Sequence, residues 1–155
     1  MKAREIAITL PHPALPGADW ADCFETQVSG SGLTAEAAAR RAFDHMPAWV
    51  EGLMAVRNML VRPFGLKGNL ETAAAGRPRV GMFPVIRNEA NEIVLGFDDR
   101  HLDFRIVVGT EVLENQQTAV RMMTLVKRHN FLGRFYLATI MPFHKLIVAR
   151  TLSRL

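Results

Sequence analysis

The stretch YLATIMPFHKLIV, residues 136–148, decides what kind of fold this chain can adopt. It has the texture of a membrane span, but its uncharged run lasts only from Phe135 to Phe143. Crossing a bilayer takes about 20 such residues. Leu132, Tyr136, Ile140, Phe143 and Ile147 follow one another at steps of four, four, three and four. Arg134, Lys145, Arg150 and Arg154 give the same segment a wetter side, so the spacing predicts a long helix with its apolar stripe against a partner. Pro142 has no N–H for the carbonyl of Ala138, and its ring crowds that carbonyl, which predicts a bend. A bent helix suits a curved surface.

That surface is legible upstream. RVGMFPVIRN (79–88), EIVLGFDD (92–99), HLDFRIVVGTEV (101–112) and QTAVRMMTLVKRH (117–129) are rich in Val, Ile, Phe and Thr. Short polar turns, NEAN and DDRH among them, separate these segments, as in successive antiparallel hairpins. Pro84 marks its strand as an edge or a bulge. CFETQVS (23–29) alternates like a strand and SGSG turns the chain. Thr34 then caps a helix through AEAAARRAF. Pro47 suits the first turn of a second helix, along which Trp49, Leu53, Val56 and Leu60 recur at helical spacing. Together these elements predict an α+β fold: two short helices after the first strand, then a curved antiparallel sheet wrapped around a long kinked C-terminal helix.

A chain of 155 residues fits a single domain, 1–155, with residues 1–20 as an N-terminal extension. At 49% apolar and 22% charged it has the composition of an ordinary globular protein. MKAREIAITLPHP lacks the apolar run of a secretory leader, and Cys23, the single cysteine, excludes an internal disulfide or a thiolate metal cage. Both point to a reducing cytoplasm. A lone cysteine of this kind is expected to be a small buried hydrophobe. The net charge of +4 is uneven: Asn115 to Leu155 holds seven Lys or Arg and no acid. Such a segment could meet nucleic acid or an anionic membrane. Because the cations are spaced out, without aromatic-basic interleaving, a solvated basic face is expected and nucleic acid is not.

The strings RNMLVRPFGLKG (57–68), GMFPV (81–85), GFDDRHLDFR (96–105) and LGRFYLATIMPFHKLIV (132–148), in this order, resemble the bacterial family called domain of unknown function 2867. The resemblance runs from the strand near Cys23 to the last helix, and leaves out the first twenty residues and ETAAAGRP. That family occurs as small single-domain proteins and fused to short-chain-dehydrogenase-like, NAD-binding domains. Its pattern is similar to the START or birch-pollen-allergen (SRPBCC) type of helix-grip fold, whose members commonly enclose an apolar ligand. The resemblance therefore implies a fold, a ligand class and a reductase as a partner, and no catalytic residue.

Leu53, Leu60, Phe83, Phe97, Phe104, Tyr136, Ile140 and Phe143 are the residues expected to line a ligand cavity between sheet and final helix. Arg57 falls in the apolar arc of its helix, where a guanidinium needs a partner. Asp98 or Asp103 could pair with it, or it could clamp a polar group of the ligand. In GFDDRHLDFR, Asp103 shares a strand face with Arg105, and two uses are open to it: cross-strand ion pairing or acid–base chemistry. His144, just after the bend, could shuttle a proton, orient a ligand, or bond a backbone group freed near Pro142. Tyr136 could point its hydroxyl into the cavity or sit in the core with that hydroxyl bonded. A metal site from Asp98, Asp99 and His101 matches no common ligand spacing. His12, His45 and His129 fall at element boundaries and are expected in solvent. No phosphate-cradling glycine loop, G-x-S-x-G or H-E-x-x-H is present, so no cofactor is expected. A binding domain, a cyclase or isomerase using the same cavity, and an accessory module on a reductase are the three functions these features leave open.

Overall fold

A computed structural model of the chain describes residues 3–44, 78–81, 83–98, 102–153 and 155. Among these, the elements in chain order are β1 (Arg4–Glu5), β2 (Trp20–Ser29), α1 (Ala35–Phe43), β3 (Arg79–Val80), β4 (Phe83–Asn88), β5 (Glu92–Asp98), β6 (Leu102–Val112), β7 (Gln117–Arg128) and α2 (Phe131–Ser153). The strands form one open, curved, antiparallel sheet of seven in the order β1-β2-β7-β6-β5-β4-β3. The fold is α+β. Of the four apolar segments read from the sequence as strands, the last three are β5 to β7, whereas the first, 79–88, divides into β3 and β4, which pair with each other antiparallel; β2 begins three residues earlier than its alternation suggested, at Trp20. The second predicted helix, from Pro47, and the turn at 99–101 lie outside the described residues.

Each local signal has its physical counterpart. Thr34 Oγ1 accepts the N–H of Ala37 at 3.1 Å, taking up one of the donors that a helix start leaves unpaired. Ala35, Ala38, Ala39 and Ala42 are buried, and their small side chains let α1 lie close against β5 and β6. Pro84 pairs with Arg79 of the two-residue edge strand, and the register of β4 on β5 shifts between Val85 and Arg87. A proline confined to such an irregular, near-edge position removes no ladder bond from the sheet centre. Gly96, inside β5, has φ +144, and a Cβ there would stand 2.2 Å from the carbonyl oxygen of Phe104. Only glycine fits so close an approach between β5 and β6.

Both faces of the sheet are covered. The inner face carries Phe24, Ile93, Leu95, Ile106, Val108, Val120 and Met122, and α1 with the C-terminal half of α2, through Val148 and Leu152, packs on it. Nearer its start, α2 places Leu137 and Met141 against Leu102 and Val126. Each such side chain, once buried, contributes about 1.5–3 kcal/mol. On the outer face Val94, Val107 and Leu125 are covered by Ile8, Leu10, Ala14, Leu15 and Ala18. Residues 6–18 are thus a strap across the back of the sheet, a role that the sequence, with no periodicity there, did not announce.

The stripe that holds α2 differs from the expected one. Leu137, Met141, His144, Val148 and Leu152 face the sheet, while Phe143 is exposed. The reason is that α2 is apolar nearly all round, so periodicity alone picks no face. Packing picked one that lies about a third of a turn away from the reading by spacing.

Candidate functional site

Alternation along β2 sends Trp20, Asp22 and Phe24 to the inner face, and register carries the rows across the sheet. Trp20 pairs with Val126 and Val126 with Phe104; one row further in, Asp22 pairs with Thr124 and Thr124 with Ile106. Asp22 is therefore a carboxylate set into an apolar face under α2. Its side chain is 2% exposed, and His144 Nε2 lies 3.1 Å from Oδ2 and 3.4 Å from Oδ1. A carboxylate only accepts, so Nε2 carries the proton, and in a neutral imidazole Nδ1 keeps its lone pair. The Trp20 ring stands edge-on to the imidazole, with centroids 5.9 Å apart. Asp22 thus fixes the tautomer and tilt of His144, and Trp20 walls one side.

Beside this pair the inner face is aromatic. Phe43, Phe83 and Phe104 form a ladder of edge-to-face contacts with centroids 5.2 and 5.8 Å apart. Phe83, Phe104, Trp20 and Met141 are only partly buried. Phe104 lies two strands across and two residues along from Asp22, about 10 Å by about 7 Å on the sheet.

A family model described as a protein of unknown function (DUF2867) matches residues 14–151. This chain belongs to the DUF2867 family. The match spans all four strings that carried the resemblance, and it also takes in Asp22 and the end of the back strap, which they did not. No curated protein and no solved structure matches the chain.

In this DUF2867 member the expected site residues fare unequally. Leu53, Arg57 and Leu60 lie outside the described residues, as do the side chains of Phe97, Tyr136 and Ile140. Phe83, Phe104 and His144 stand on the inner face as described. Phe143 turns outward, for the reason given by the packing of α2. Asp103 is one residue from Phe104, so alternation sends it to the outer face, away from His144. There its Oδ1 is 2.9 Å from Nε2 of His129, and neighbouring Arg105 donates to Asp98 Oδ1 at 2.8 Å. These are the cross-strand pairings of a sheet end. His129 is exposed, as expected, and is paired there with Asp103. His12 accepts the N–H of Ala14 through Nδ1 at 3.0 Å and closes a turn of the strap. Among the described residues no group of three or more His, Cys, Asp or Glu could hold a metal ion, and no helix is long and apolar enough to cross a membrane.

Asp22 is the residue that sequence reading missed. The signal was present, since an aspartate next to Cys23 at the start of an alternating strand falls on the same face as Phe24. Nothing local connected it to a histidine 122 residues away.

A hollow of about 340 Å³ opens between the ends of β2 and β7, α1 and the last residue, lined by Gln27, Val28, Ser29, Arg41, Gln117 and Leu155. Its walls carry no buried ionised group.

Proposed function

We propose that this protein holds a small, mainly apolar molecule bearing one polar group between the sheet and α2, in the manner of a helix-grip fold. The carrying observation is the Asp22–His144 pair: an oriented polar contact sunk in an apolar face beside partly open aromatic rings. A small-molecule site combines a mostly apolar lining with a few such fixed polar groups. Trp20, Phe83, Phe104, Leu137 and Met141 supply the apolar contacts, and His144 meets the polar group. Native mass spectrometry of the freshly purified protein tests this. A small-molecule adduct that is lost on denaturation, and lost or weakened in His144→Ala, is the expected result. A bare mass, with no displacement of a fluorescent apolar probe by any hydrophobic competitor, would overturn it.

The same pair favours a second function, acid–base catalysis of a cyclase or isomerase kind. A carboxylate behind an imidazole holds the ring for proton transfer and stabilises the imidazolium that forms. Exchange of a ligand C–H for deuterium, catalysed by the protein and abolished in His144→Gln, would separate turnover from binding. Retention of ligand with no exchange leaves binding alone.

A further inference from the structure

We propose that the outward face of α2 docks on an anionic lipid surface. Phe131, Phe135, Phe143 and Leu146 are 80%, 60%, 51% and 45% exposed and follow one side of the helix over about 22 Å. Four of the six large hydrophobic side chains that stand most exposed among the described residues thus belong to one face of one helix. Scattered exposed apolar residues are ordinary, whereas a row of this kind marks a contact surface.

Charge decides what covers it. α2 carries Arg134, Lys145 and Arg150 and no acid. Of these, Lys145 is engaged within the fold by Glu5. Arg134 is exposed between Phe131 and Phe135 in sequence. A second copy of the chain would bring the same cationic helix against itself, and like charges at close range oppose that dimer. An anionic bilayer instead offers acyl boundary to the rings and negative headgroups to the flanking cations. The sheet-facing stripe of Leu137, Val148 and Leu152 stays packed, so the helix lies in the interface plane without leaving the domain. Docking of this kind would bring the end of the sheet that holds Trp20 and Phe104 near a source of apolar molecules.

Cosedimentation of the full chain with phosphatidylcholine vesicles, with and without phosphatidylglycerol, is the test. The expected result is binding to the anionic vesicles that weakens with salt and falls at least about tenfold in the double variant Phe131→Ser and Phe135→Ser. Both sites are exposed, and circular dichroism checks that the variant is folded. Equal binding to both vesicle types, or wild-type binding by the variant, would overturn the proposal. So would a lipid-free dimer broken by the same substitutions, or phenylalanine-dependent binding of single-stranded RNA in place of vesicles. The ligand experiment on His144 is independent of either outcome.

Discussion

His144 and Asp22 form the residue-scale feature on which most depends. A carboxylate held in an apolar face is tolerable because an imidazole N–H meets it, and removing the imidazole leaves the carboxylate buried and unpaired. His144→Leu is therefore expected to cost about 3–5 kcal/mol in urea unfolding. Adding Asp22→Asn should recover part of that loss, because an amide is far cheaper to bury than a charge. Strict additivity of the two changes would show that the pair is not coupled. Cys23, the neighbour of Asp22, points to the opposite face. Burial pushes its thiol up to about 11, against the pull of the nearby Arg121 guanidinium. The native protein should accordingly resist thiol reagents at neutral pH, and modification should track global unfolding. Rapid labelling of the folded chain would contradict this.

At the scale of elements, the sheet edge is fastened by charge. Glu25 on β2 is nearly buried and receives Arg4 of β1 at 2.8 Å and Arg121 of β7 at 2.7 Å, with Glu111 of β6 on the other side of Arg121. The bond from Arg4, together with that from Arg121, holds the Glu25 carboxyl below the usual carboxylate range, against burial, which acts to raise it. A depressed folded-state value contributes stability above the ordinary value of about 4.3, and that contribution is lost as pH falls through the folded one. Wild type should exceed Glu25→Gln in stability by about 1–3 kcal/mol at neutral pH. The gap should shrink as pH drops below about 4. A gap independent of pH would mean that the ion pairs contribute nothing.

For the molecule as a whole, the two faces of the sheet are covered by parts of the chain of very different kinds. Helices cover one, and the irregular strap of residues 6–18 covers the other. Leu15, buried at the centre of the strap against Val94, Val107 and Leu125, is its anchor. Leu15→Ala should cost about 2–5 kcal/mol, and thermal unfolding by near-UV and far-UV circular dichroism should remain coincident if strap and sheet unfold together. A substitution without effect on the melting temperature would mean that the back of the sheet is stable without its cover.

Much of this fold was legible because strands and caps are local devices. Alternation set β5 to β7 almost to the residue, Thr34 capped α1, and Pro84 fell at an irregular near-edge position, since each depends on neighbours a few positions away. His144 was picked out by its place beside Pro142, and Phe83 and Phe104 by strand alternation. The partner of His144, the strap over the back, and the face that α2 turns to the sheet were decided only by tertiary structure. These depend on contacts across more than a hundred residues of chain, or on which side of a nearly uniformly apolar helix fills the space above the sheet, and no periodicity within a single segment encodes either.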